Sequence, residues 1–302
     1  MMNFPSHEHP ELQDTLCIMK RQESQKYKNI EFTIPAEFKD VVDVTWRGQI
    51  LQWMYGVVDF CVLPRESVAA AAYFIDFAVS KGLVKSRLEY QITAITALHL
   101  SLKLFNSSMV KLESLVKLGR GLFTVGDVIE TEQILLEALN WNLHPPTSGC
   151  FLYQFLSLLP SRTSDGIRHT ITNITQRVNE IAVCQTEISG RYSPSTIAFA
   201  GMLISMELLD EEQLPISQRQ CFLFHMVTVA KMDSNAPELQ QAMEELKPCM
   251  RENPKLMELL ETIGVWSRIC KLDSSAQYRK PQLKETIAAE SSPRQTNTSL
   301  YA

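Results

Sequence analysis

Apolar residues recur at three- and four-residue spacing along most of this chain, and the runs are punctuated by prolines and capping residues. That pattern predicts a succession of helices of ordinary length. The segment LQDTLCIMKRQESQKYK (12–28) allows a short amphipathic helix behind a loose polar start, with Pro35 breaking the pattern. A helix is expected over 38–60, holding WRGQILQWMYGVVDF, and a second from Pro64 through PRESVAAAAYFIDFAVS to Ser80. The alanine run in the second suits close packing against a neighbour. The third is expected from Ser86, with Glu89 completing a capping box, through Lys103. A short fourth is expected over 109–117, and a fifth from Thr124, stopped ahead of Pro145 and Pro146.

A second set follows in similar order: SGCFLYQFLSLL, GIRHTITNITQRVNEIAVCQTEI, SPSTIAFAGMLISMELL, ISQRQCFLFHMVTVAKM and ELQQAMEELKPCM. The halves share an order of elements and little direct identity. From 268 onward the sequence turns polar with no durable period, and 268–302 is expected to be a disordered tail.

Two charged residues stand where the helical period asks for apolar ones. Lys103 lies on the side of its helix carrying Leu100 and Leu104, and Glu132 on the side carrying Ile129, Leu135 and Leu136. Three readings are open for this pair. Both stems snorkel and both heads are solvated; the two form an ion pair orienting their helices, worth under about 1 kcal/mol if exposed; or they are the polar centre of an apolar docking face.

Composition narrows the function classes. A formal net charge of −5 with dispersed Lys and Arg supplies no electrostatic footprint for a phosphate backbone, so direct nucleic-acid binding is not expected. The seven cysteines are scattered without a C-x-x-C pair, which argues against a disulfide framework or a zinc site and for a reducing compartment, nucleus or cytoplasm. No signal-type h-region or apolar run of membrane length occurs, so no membrane partner is expected. Phosphate-loop, dinucleotide-turn, nucleophile-elbow and HExxH motifs are absent, so neither enzyme activity, a cofactor nor a metal is expected. His99 reads as a core-edge or surface histidine. Neither R-x-x-L nor K-E-N occurs, and Ser292-Pro293 offers a proline-directed phosphorylation site in the polar tail.

The ordered segments WRGQILQW, YFID, LEYQITAITALHLSLKL and TEQILLEALNWNLHPPT resemble a cyclin box in sequence and spacing. The resemblance covers 20–147 well and 148–250 more weakly, where SPSTIAFAGML is similar to the P-S-x-I-A-x-A helix of a second cyclin fold. ALHLSLKL, RGLF and NWNLHPPT give the chain a dialect similar to the expanded cyclins of diatoms. The resemblance implies an all-α protein of two tandem five-helix cyclin folds: an N-terminal extension (1–37), a cyclin box (38–147), a C-terminal cyclin-like fold (148–267) and the tail.

It also implies a non-catalytic regulatory subunit that binds and activates a cyclin-dependent protein kinase in cell-cycle control. By family analogy Lys103 and Glu132 contact the kinase, with Leu100, Leu104, Leu136, Trp141 and Leu143 adjoining. The activation is conformational: a mobile kinase helix is held inward and completes the phosphotransfer site. The family's docking patch for kinase substrates or inhibitors maps to Trp46, Arg47, Ile50 and Trp53, although Trp46 and Gln49 depart from its pattern. Trp53 is equally read as core. The acidic pair that follows the lysine in the family is Phe105-Asn106 here. Arg65, Tyr73 and Asp76 resemble internal framework positions. The alternatives are a cyclin-fold transcription factor and a cyclin-like scaffold that binds a kinase without activating it.

Overall fold

The computed structural model describes residues 10–30, 32, 43–105, 111–265 and 268. Among these the regular structure is entirely helical: α1 Pro10–Gln25, α2 Val44–Phe60, α3 Glu66–Ser80, α4 Arg87–Phe105, α5 Leu112–Leu118, α6 Val125–Ala138, α7 Ser148–Leu156, α8 Asp165–Cys184, α9 Thr186–Arg191, α10 Pro194–Glu207, α11 Ile216–Thr228, α12 Pro237–Arg251 and α13 Pro254–Thr262. The start of the expected helix at 38–42, the region 106–110 and the tail apart from Arg268 lie outside the described residues.

Two hydrophobic cores organise the chain. The first gathers α2 to α6 around α4, whose buried residues include Tyr90, Ala94, Ile95, Ala97, Leu98 and Leu102. Small side chains explain how α4 can be enclosed: α3 packs closely on it, and Ala70, Ala71 and Ala72 of α3 are all buried, letting α3 approach its neighbours. The second core surrounds α10, where Ala198, Ala200 and Gly201 have the same role, and is threaded by the rings of Phe151, Phe155, Phe199 and Phe222 at successive centroid distances of 5.9, 6.3 and 6.2 Å. Thus α4 and α10 are the matching central helices of two successive folds.

Helix α1 spans both units. Leu16 is buried in the second core, while Tyr27, just past the helix, meets Tyr73 of α3 edge-on at 5.6 Å, and its hydroxyl accepts from the His144 N–H at 3.2 Å. The Glu23 carboxylate accepts from the Ser195 N–H and hydroxyl, both at 2.7 Å, at the N-terminus of α10. Lys20 Nζ donates to the Ala230 and Lys231 carbonyls in the turn beyond α11, so Glu23 caps a helix start while Lys20 ties α1 to a loop of the second fold. Arg65 forms a fork with Glu180 of α8, at 2.5 and 2.7 Å, linking the two folds from the other side.

The elements differ from the sequence reading in four main places. α6 ends at Ala138, well short of the expected stop at Pro145, because Asn140 and Trp141 turn left-handed. α1 begins at Pro10, earlier than the pattern of 12–28 suggested, because proline is tolerated in a first turn. The run expected as one helix from 166 to 188 breaks at Gln185, which is extended with ψ 111°, and α9 follows separately. α13 was not expected. Its start is nonetheless written in the sequence: Asn253 Oδ1 accepts from the Leu256 N–H at 3.0 Å, and Pro254 takes the first helical position.

Candidate protein-docking face

Lys103 and Glu132 meet across the junction of α4 and α6. Helix α6 is set by a full capping box: the Thr124 hydroxyl accepts from the Asp127 N–H at 3.3 Å, and the Asp127 carboxylate accepts from the Thr124 N–H at 2.6 Å. Val128 and Leu135 fix its rotation by burying against the first core, which turns Glu132 toward α4. Lys103 Nζ donates to Glu132 Oε1. The free chain therefore adopts the ion-pair reading, with the lysine side chain 40% exposed and the glutamate 17%.

His99 joins this pair from one turn earlier on α4. Its Nδ1 lies 3.4 Å from Glu132 Oε2, with the side chain 11% exposed. Burial, with Lys103 adding to it, lowers the His99 pKa against the opposing pull of Glu132, so the imidazole is neutral at physiological pH. The Glu132 carboxylate thus faces an ammonium on one oxygen and a neutral ring on the other. The sequence signal was the i, i+4 spacing of His99 and Lys103, which the single-residue reading of His99 passed over.

Apolar surface surrounds the pair unevenly. Leu104, Leu136 and Leu143 are half-buried against the first core, and Phe105 and Ile129 are exposed. Leu100 is 3% exposed and supports the face from beneath, so in the free chain it offers almost no surface of its own. Trp141 is 69% exposed and stands in the left-handed region at φ 58°, after Asn140 at φ 47°. A bulky aromatic in that region is strained. It is held by its N–H donating to the Leu136 carbonyl at 3.1 Å, with Asn142 N–H on the Leu139 carbonyl at 2.9 Å. The turn closes α6 and projects the indole into solvent.

The four residues of the second candidate patch separate. Ile50 and Trp53 line a groove of about 310 Å3 with Gln91, Ile95, Leu118 and Phe123, so Trp53 both packs on the core and borders open space. Trp46 sits elsewhere, edge-on to Tyr90 at 6.1 Å with the Arg87 guanidinium over its ring. Arg47 is not a surface residue: it is 1% exposed, and its guanidinium forks onto Asp76 of α3 with two 2.7 Å bonds while donating to the Val183 carbonyl at 2.9 Å. Burial works against the charge, but the Asp76 charge and hydrogen bonds outweigh it and hold Arg47 above its ordinary pKa. Arg47 therefore locks α2, α3 and the end of α8 together, a correction forced by a spacing that only the tertiary fold reveals. Gln91, Leu118, Leu122 and Phe123 were not anticipated there, the last two lying in the RGLF segment that the resemblance had singled out.

Among the described residues there is no cluster of three or more metal-ligating side chains and no helix long and apolar enough to cross a membrane.

Residues 14–144 match the family model of the cyclin N-terminal domain. The chain is 28% identical to cyclin-B2-2 of Arabidopsis thaliana over 177 residues, 59% of this chain and 39% of that protein. It is 32% identical to the G1/S-specific cyclin-E of Hemicentrotus pulcherrimus over 114 residues, 37% of this chain and 26% of the other. The chain thus spans well under half the length of these relatives. The fold is similar to that of a viral cyclin from herpesvirus saimiri, with a TM-score of 0.61 at 16% identity, covering 80% of this chain and 97% of the viral one.

Proposed function

We propose that this chain, whose residues 14–144 match the cyclin N-terminal domain, is a cyclin-type regulatory subunit that binds a cyclin-dependent protein kinase through the Lys103–Glu132 face and activates it. The observation that carries the proposal is the pair itself. Two opposite charges close on each other at the seam of α4 and α6, inside the half that the family matches, with Trp141, Phe105 and Ile129 exposed nearby.

Such a face suits a protein partner. The aromatic and aliphatic side chains supply area to bury, and the two charges supply directional bonds that fix register. Docking draws Lys103 and Glu132 into bonds with the partner, so the pair exchanges an internal contact for intermolecular ones. The α4 backbone beneath is enclosed by α3 and α6 in the first core, which supports the face from behind. A rigid face pressed against a mobile kinase helix stabilises the inward position of that helix, and the phosphotransfer chemistry stays in the kinase. The groove beside Ile50 and Trp53 is the place on this chain for a substrate or inhibitor segment of that kinase. A direct nucleic-acid role is disfavoured by the net charge of −5.

The test is phosphotransfer by a purified cyclin-dependent kinase with and without the chain. Stimulation by the wild type that is lost in Lys103→Ala and Glu132→Ala supports the proposal. Binding without stimulation supports the non-activating scaffold, and equal stimulation by all three proteins contradicts the assigned face.

A further inference from the structure

The His99 imidazole is buried at the edge of the docking face, and its Nδ1 has no hydrogen-bond partner. Glu132 Oε2 is 3.4 Å away, longer than a well-formed N–H···O bond but close enough to act on the ring. A buried polar atom left in this state is uncommon in a folded chain and calls for a reason. The other groups that act on the ring are Lys103 of its own helix, Glu132 of α6 and Glu113 of α5.

From this geometry we infer that His99 is a positioning residue for the kinase interface, the donor that holds the Glu132 carboxylate when Lys103 is drawn away to the partner. The inference rests on the proposed kinase-binding role of the face. In the free chain Lys103 satisfies Glu132, and the histidine waits at slightly long range. When the partner engages Lys103, Glu132 would otherwise lose its only ion-pair cation in this cluster and swing freely, losing register. A small rotation brings Nδ1–H onto Oε2, fixes the carboxylate and leaves its second oxygen for the partner. Hydrogen bonds that are long in the free protein and tighten in the complex are common at functional sites. The neutral ring suits the task, since a neutral imidazole with its proton on Nδ1 donates there without adding a second cation beside Lys103.

The test is the affinity of the full chain for a purified cyclin-dependent kinase, with thermal midpoints measured in parallel. His99→Leu removes the donor and should weaken binding about tenfold. His99→Asn places an amide N–H near the position of Nδ1 and should bind within about threefold of wild type. In a Glu132→Gln background the effect of His99→Leu should largely vanish, because the histidine acts through that carboxylate. Wild-type affinity for His99→Leu, no rescue by His99→Asn, or an undiminished loss in the Glu132→Gln background overturns the inference while leaving the kinase-binding role standing. Absence of binding by the wild type itself overturns both.

Discussion

Replacing Arg47 by methionine keeps much of the side-chain volume but leaves Asp76 as a carboxylate 7% exposed with its two 2.7 Å donors gone and the Val183 carbonyl without its guanidinium partner. Removing one member of a buried pair is expected to cost about 3–5 kcal/mol, because the surviving charge stays desolvated and unpaired. With a urea dependence of about 3 kcal/mol per molar for a chain of this size, the unfolding midpoint should fall by about 1 M or more. Urea denaturation followed by circular dichroism reads this directly. The double replacement Arg47→Met, Asp76→Leu removes both charges and should recover most of the loss, which separates a stranded charge from a packing defect. If Arg47→Met unfolds at the wild-type urea concentration, the buried fork does not lock α2, α3 and α8 together, and a surface role for Arg47 returns.

Burial raises the Glu23 pKa against the lowering effect of its bonds to Ser195, so the folded state holds this proton to higher pH than the unfolded chain does. Wild-type stability should accordingly fall as pH rises from the ordinary carboxylate value through the raised one, whereas Glu23→Gln should lack that component in urea midpoints measured across pH. Histidine NMR titration should show the His99 pKa rising in Lys103→Ala and falling in Glu132→Gln, since the first charge lowers it and the second raises it; unmoved titrations would deny that the three groups share a field. Trp141 at φ 58° carries left-handed strain of about 1–2 kcal/mol that glycine relieves and a β-branched residue worsens. Thermal melts should therefore leave Trp141→Gly within about 1 kcal/mol of wild type and place Trp141→Val clearly lower; equal losses would argue against strain at this turn.

Local signals on the sequence led well to the elements. The Thr124 start, the SPSTIAFAGML helix and the apolar, small-residue stretches of α4 and α10 each depend on signals within a few residues, so reading the chain recovers them. Lys103 and Glu132 were visible as charges out of pattern, because a helical period makes such departures conspicuous. Whether they face each other depends on how α6 is rolled by Val128 and Leu135, which no local window contains. His99 fell to the same limitation, since its chemistry arises from a carboxylate on another helix. Arg47 shows the opposite limit: the resemblance grouped it with a docking patch, while the fold turns its side chain inward onto Asp76 and onto a carbonyl from the second repeat. The break at Gln185 had no proline or glycine to announce it; it follows directly on the last turn of α8, whose Val183 carbonyl accepts from Arg47 of the first fold.

The central claim is that the chain meets a kinase through Lys103 and Glu132, and calorimetric titration with a purified cyclin-dependent kinase tests it most directly. Lys103→Ala and Glu132→Ala should each weaken binding by about 2 kcal/mol, roughly thirtyfold. Their thermal midpoints should barely move, because a partly exposed ion pair contributes under about 1 kcal/mol to folding. Tyr153→Ala, on the exposed surface of α7 in the second fold, should bind as the wild type does. Equal affinity for the wild type and both charge variants would contradict the account.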